Sequence, residues 1–161
     1  MSSAVHEYRL LPARAADAPL LAAMSQNLVE TGLRPAWDAA RIGRHVRHAE
    51  SVVLTARTAD SLVGFAIMRY LDDAAHLNLL AVAPEHRRRG VARRLLGWLE
   101  ESALTAGTFV ISLELRTANE TARAFYRALG YRERGEIPGY YQGVESALRM
   151  ERDVRIARVR T

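Results

Sequence analysis

Two stretches of the chain carry side chains whose types and spacing suit chemistry. In the first, an apolar run, Leu79-Leu80-Ala81-Val82, meets Pro84 and then Arg87-Arg88-Arg89-Gly90-Val91-Ala92-Arg93-Arg94. The opening amides of a helix have no intrahelical partner and sit at the positive end of its dipole, so a strand-loop-helix junction of this kind attracts anions. Gly90 and the small Ala92 let phosphate oxygens approach the backbone closely, and Arg87, Arg88, Arg89, Arg93 and Arg94 add mobile positive charge. The plainer alternative is a solvated surface loop. The segment lacks the Gly-Lys-Ser/Thr ending of a nucleotide P-loop and the three glycines of a dinucleotide fingerprint.

The second stretch is 113–131, in which Glu114 interrupts a run, 109–115, of strong strand character. A carboxylate inside a sheet is costly to bury unless it is paired or solvated through a cleft. Glu114 therefore either pairs with Arg116, two residues along on the same face, or stands in a working cleft. Tyr126 follows on a helical pattern, where Phe125 and Leu129 also allow it to be a core aromatic. His76 precedes the apolar run of the first stretch and reads either as an exposed strand-start residue or as an auxiliary base. His6, His45, His48 and His86 show no metal-ligand spacing, and the chain has no cysteine, so no metal is expected.

The elements that must position these groups follow from hydrophobic periodicity. A short strand at 8–11 precedes a helix over 17–31, with Leu20, Leu21, Met24 and Leu28 at helical spacing, and a more polar helix over 35–49. Strands at 52–57, 62–70 and 76–82 suggest an antiparallel meander that Pro84 terminates. Helix 90–105 shows Val91, Leu95, Leu99 and Leu104 on one face, widened by Leu96 and Trp98. Strand 109–115, helix 120–129 with Gly130 as its cap, a strand from 131 and a last strand over 147–152 complete the pattern. An antiparallel first half joined to β-α-β-α-β-β favours one domain over 1–161, of mixed α/β class, with helices covering a central sheet.

Arg87-x-x-Gly90-x-Ala92 after an apolar strand resembles the Q/R-x-x-G-x-G/A signature of the GNAT superfamily of N-acetyltransferases. The resemblance runs over about 52–150 and implies a mixed sheet of about seven strands with about four helices. It also implies that acetyl-CoA is the cosubstrate. Leu80, Ala81 and Val82 would pair with the pantetheine arm through their backbone, the Leu80 amide would face the oxyanion, and Arg87 to Arg93, with Gly90, Val91 and Ala92, would surround the pyrophosphate. Leu113-Glu114-Leu115-Arg116-x-x-Asn119, followed by Phe125-Tyr126-x-x-Leu129-Gly130-Tyr131, is similar to the ribosomal-protein alanine and N-terminal acetyltransferase branch. That likeness implies Glu114 as general base, Asn119 as a contact of the cofactor arm and Tyr126 as general acid. In the same branch a tyrosine-bearing loop lines the acceptor slot, which Tyr140 and Tyr141, between the last two strands, resemble; plain packing is the alternative. Glu145-Ser146 stands where the branch often has Glu-Asp, which leaves the acceptor open between a peptide N-terminus and a small amine.

Composition narrows the partners. All 23 basic residues are arginine against 18 acidic ones, a formal charge of +5. Such a balance suits a phosphate-bearing cofactor, nucleic acid or an acidic membrane surface, although codon bias also explains a chain without lysine. No aromatic stacking motif or groove-reading helix accompanies the arginine patch, so nucleic acid is not expected as a partner. No apolar run reaches the roughly 18 residues of a membrane span, and the N-terminus lacks a secretory layout. A cytoplasmic monomer or homodimer is expected. A CoA-sensing module without turnover is the competing class of function.

Overall fold

Alternating burial along the strands sets the architecture. The computed structural model describes residues 7–156, so His6 lies outside the described residues. The elements are β1 (Arg9–Pro12), α1 (Ala18–Leu28), α2 (Ala39–Arg47), β2 (Ser51–Arg57), β3 (Leu62–Tyr70), β4 (Ala74–Val82), α3 (Val91–Ala106), β5 (Val110–Arg116), α4 (Glu120–Ala128), β6 (Arg132–Tyr141) and β7 (Glu145–Asp153). The strands form a mixed seven-stranded sheet in the order β1-β2-β3-β4-β5-β7-β6, the fold class expected. The parallel step from β4 to β5 needs a crossover, which α3 supplies. No helix among the described residues is long and apolar enough to cross a membrane.

The chain divides into two compact units, one running to Arg69 and including Leu79–Leu99, the other comprising Tyr70–Asn78 and the residues from Glu100 onward. In the first, β2 pairs antiparallel with β1 and β3. Its core gathers Leu21, Trp37 and Ile42 from the helical side with Val53, Phe65, Ile67, Leu79 and Ala81 from the strands. Gly64 is where β3 lies close against the end of β4. A Cβ there would sit 3.0 Å from the Ala81 carbonyl oxygen and 3.4 Å from methyls of Val82 and Val91. In the second unit, β7 pairs antiparallel with β5 and β6. The parallel ladder of β4 with β5 covers Ala74, Ala75 and His76 only, and Leu80, Ala81 and Val82 lie past its end.

Several boundaries depart from the periodicity. Helix α2 begins at Ala39 rather than at 35, because the Asp38 carboxylate accepts from the Arg41 amide and caps it there. The segment before it is tied to Glu30, whose Oε1 accepts from the amides of Ala36 and Trp37 while Ser25 donates to Oε2. On α3 the buried face is Val91, Leu95, Leu96, Leu99 and Ala103; Trp98 and Leu104 are exposed. Ala103 continues the four-residue step from Leu99, which turns Leu104 away from that face. Leu20 of α1 is likewise exposed, one residue from the fully buried Leu21.

Candidate active site

Strand β5 buries Ile111, Leu113 and Leu115 on one face and leaves Ser112, Glu114 and Arg116 on the other. Glu114 is nevertheless almost hidden, with its side chain 5% exposed. It does not pair with Arg116, which lies 3.3 Å from Glu145 Oε2 instead. Register explains its real partners. Antiparallel pairing sets Arg149 of β7 directly opposite Glu114, and parallel pairing sets His76 of β4 beside Ser112, one step along. Arg149 donates to Glu114 Oε1 from Nη2 at 2.8 Å and from Nε at 3.2 Å, and His76 Nε2 is hydrogen-bonded to Oε2. Burial pushes the Glu114 carboxyl up, but the hydrogen bonds from His76 and then Arg149 outweigh it and hold the group below its ordinary value. Glu114 is therefore an ionised carboxylate with both oxygens engaged near neutral pH. His76 is not an exposed strand-start residue; its side chain is 27% exposed and tied to the carboxylate.

Tyr126, on α4, is a core aromatic, as its helical pattern allows. Its ring is buried in edge-on contact with Phe125 and Tyr131. Its hydroxyl makes no hydrogen bond to another described residue, and burial, followed by the nearby Tyr141, pushes its pKa well above the usual tyrosine value. The phenol thus stays protonated with its proton uncommitted. Asn119 caps α4, its Oδ1 accepting from the Ala122 amide at 3.1 Å, which is a structural use of a residue expected to touch the cofactor. The carboxamide nitrogen makes no bond among the described residues.

Tyr140 and Tyr141 are not in a loop. Strand β6 extends to Tyr141, and the turn is only Gln142, Gly143 and Val144, with Gln142 and Gly143 at positive φ. The two rings meet edge to face with their centres 4.9 Å apart, and the Arg116 guanidinium lies 6.0 Å from the Tyr141 ring centre. Burial raises the Tyr141 pKa, helped by Tyr140 and Glu114. The tyrosine pair therefore belongs to the same electrostatic neighbourhood as the carboxylate.

The arginine segment lies in the first unit. After β4 the chain makes a single tight turn at Pro84–His86 and enters α3 at Val91, whose first bonded amide is that of Arg94, donating to the Gly90 carbonyl at 3.0 Å. The amides of Val91, Ala92 and Arg93 precede it at the helix start. Arg88 and Gly90 both have positive φ, 62° and 79°, and space is open around the missing Cβ of Gly90. Two of the arginines are not mobile charges. Arg87 donates from Nε to the Val82 carbonyl at 3.2 Å, and Arg94 donates to the Tyr8 carbonyl at 2.9 Å. Arg88, Arg89 and Arg93 are exposed and make no bonds among the described residues.

Periodicity does not reveal Arg149, because its place depends on the pairing of β5 with β7. Asn78 also escapes a reading of the sequence. Its Oδ1 is buried without a hydrogen-bond partner, on the same face of β4 as His76. Such an atom is the exception in folded proteins and waits for water or a ligand.

Residues 20–131 match the acetyltransferase (GNAT) family. An uncharacterized protein of Mycobacterium leprae, ML0378, is 42% identical over 109 residues, 65% of this chain and 30% of that protein. The ribosomal protein bS18-alanine N-acetyltransferase of Salmonella typhimurium is 38% identical over 94 residues, 56% of this chain and 64% of that enzyme. The alignments thus span less than two thirds of these relatives. The crystal structure of the ribosomal-protein-alanine N-acetyltransferase of Escherichia coli superposes with a TM-score of 0.81 at 25% identity, covering 94% of this chain and 96% of that one. With the family match covering most of its length, the chain belongs to the acetyltransferase (GNAT) family.

Proposed function

We propose that this chain is a single acetyltransferase domain that moves the acetyl group of acetyl-CoA onto a primary amine. The observation that carries the reading is an ionised, nearly buried carboxylate on β5, Glu114, and a buried phenol on α4, Tyr126, whose proton is uncommitted, each of which interacts electrostatically with Tyr141. In this reading Arg88, Arg89 and Arg93, with the amides at the start of α3, take the pyrophosphate. Arg87 acts indirectly, bracing the end of β4 through the Val82 carbonyl. The backbone of Leu80, Ala81 and Val82, past the end of the β5 ladder, receives the pantetheine arm, and the Leu80 amide serves the oxyanion, a donor worth about 10²–10³ in rate.

Glu114 anchors general-base catalysis at the acceptor site, where positioned proton removal is worth about 10²–10⁴ in rate. Tyr126 protonates the departing thiolate. Moving a proton from an ordinary tyrosine to a thiol with a pKa of about 8.5 is uphill by about 2 kcal/mol, and burial raises that cost. The transfer therefore depends on the second proton of the attacking nitrogen refilling the phenol as it empties. Tyr140 and Tyr141 line the acceptor side.

The acceptor is best suited to be a protein N-terminus. A peptide α-amine titrates at about 8 and a lysine amine at about 10.4. Near neutral pH roughly a tenth of the former is uncharged, against under about a thousandth of the latter. A carboxylate held below its ordinary value has little reach as a base and suits the amine that is easier to deprotonate. The related enzyme of Salmonella typhimurium is named for the alanine of a ribosomal protein, which agrees with that preference. The test is thiol release from acetyl-CoA with peptides varied at their first residue, beside lysine side-chain analogues and polyamines. Release with peptide α-amines is expected. CoA binding without release across the whole set would replace the reading with a sensor of the coenzyme.

A further inference from the structure

We infer that His76 is a catalytic residue: its Nδ1 receives the proton that the acceptor ammonium loses, while Glu114 fixes its tautomer and Arg149 clamps Glu114. This rests on the acetyl-transfer reading and says where its base lies.

An ionised carboxylate only accepts hydrogen bonds, and a guanidinium only donates them. Both Arg149 bonds end on Oε1, and the remaining oxygen, Oε2, meets His76 Nε2. That nitrogen must therefore carry hydrogen. In a neutral imidazole the other nitrogen, Nδ1, then holds the free lone pair. His76 Nδ1 has no partner among the described residues, and the ring retains the exposure that a reactant needs, whereas Glu114 is nearly closed off and has both oxygens occupied. To accept a proton itself, Glu114 would have to give up a bond to His76 or Arg149. To act through His76, it needs only to stay where it is. The bidentate grip of Arg149 on a single oxygen leaves Oε2 pointed at the ring.

Among the neighbouring titratable groups, Tyr141 interacts electrostatically with Glu114 and Tyr140 with Arg149. Arg116 is turned to Glu145, and the Tyr70 hydroxyl donates to Ser102 at 2.6 Å. Within the second unit, Glu114 is thus the carboxylate bonded to the imidazole, and it stabilises the imidazolium that forms.

The step balances. The ammonium gives one proton to His76 Nδ1, and the freed lone pair forms the carbon–nitrogen bond at the thioester carbonyl. The carbon–sulfur bond breaks with its electron pair going to sulfur. Tyr126 protonates that thiolate and is refilled by a second proton from nitrogen. His76 then passes its proton to water, the single net proton of each turnover.

Two measurements on the full chain test this. Nitrogen-15 spectra of histidine-labelled protein, with the His76 signals identified by their loss in His76→Gln, report the tautomer without any need for activity. The Nε2–H form is expected, and an Nδ1–H form overturns the inference. The carboxamide introduced by His76→Gln retains a donor toward Glu114 but offers no basic nitrogen. In thiol-release assays this variant should lower kcat by about 10²–10⁴ with the KM for acetyl-CoA unchanged. His76→Ala should regain part of its turnover when imidazole is added, which a merely structural histidine would not do. An active parent whose His76→Gln form keeps the parental kcat refutes the histidine role and leaves acetyl transfer standing. A folded parent that transfers no acetyl group refutes both.

Discussion

Replacing Gly64 by alanine tests whether the close approach of β3 to the end of β4 shapes the coenzyme site. The new methyl would sit 3.0 Å from the Ala81 carbonyl oxygen and 3.4 Å from Val82 Cγ2 and Val91 Cγ1. Carbon contacts are most favourable at about 3.5–4.0 Å, so backbone on one side and two buried side chains on the other must yield together. Overpacking of this kind costs about 1–3 kcal/mol, partly offset by the 0.5–1 kcal/mol or so that alanine gains over glycine within a strand. A net destabilisation of about 0.5–2 kcal/mol should appear as a lower urea midpoint with unchanged slope. The carbonyl displaced lies on the β3 side of β4, and moving it shifts the adjoining Leu80 and Val82 backbone proposed to face the pantetheine arm. Loss of one hydrogen bond, worth about 0.5–1.5 kcal/mol, should weaken acetyl-CoA binding about two- to twelvefold in calorimetry. Parental stability together with parental affinity would overturn both steps, since the end of β4 would then be neither crowded nor used.

Three further outcomes are expected. Gly90→Glu should abolish coenzyme binding by setting a negative charge among the helix-start amides, whereas Gly90→Ala, with open space but a φ of 79°, should cost only about 1–2 kcal/mol of strain; calorimetry and urea unfolding separate the two, and retained affinity in Gly90→Glu would displace the phosphate site from this loop. Arg152→Met should destabilise the protein by about 3–5 kcal/mol, because Glu100, buried and bonded to Arg152 at 2.5 Å and to the Tyr131 hydroxyl at 3.1 Å, loses the Arg152 guanidinium; an unchanged thermal midpoint would rule this out. Glu114 has a folded pKa below its ordinary 4.5, so its contribution to stability is full above about that pH and is lost as pH falls through the folded value. The acid limb of the stability curve should accordingly flatten in Glu114→Gln.

Local pattern carries most of the fold. Alternation places β2 to β5 within about two residues, and a proline and glycines mark where elements stop. The differences arise where a polar side chain overrides periodicity: Asp38 and Glu30 delay α2. Tyr140 and Tyr141 read as loop because Pro138 and Gly139 precede them, yet β6 carries both residues, with irregular pairing between Ile137 and Tyr141. In the candidate site, Glu114 stands out as a charge in an apolar strand. Its partners do not, because Arg149 lies 35 residues away and His76 lies 38 residues away, and only the order β4-β5-β7 brings them together. The nearest cation in sequence, Arg116, is the wrong one. Burial of both Arg152 and Glu100 is equally invisible, since each sits amid ordinary polar neighbours in the chain.

Whether the Glu114 carboxylate sustains proton removal is decided by Glu114→Gln, with turnover and coenzyme affinity measured side by side near neutral pH. Loss of about 10²-fold or more in kcat, with the dissociation constant of acetyl-CoA unchanged, is expected. Parental turnover in that variant would remove the carboxylate from the chemistry, and an equal loss of affinity would make it part of the coenzyme site instead.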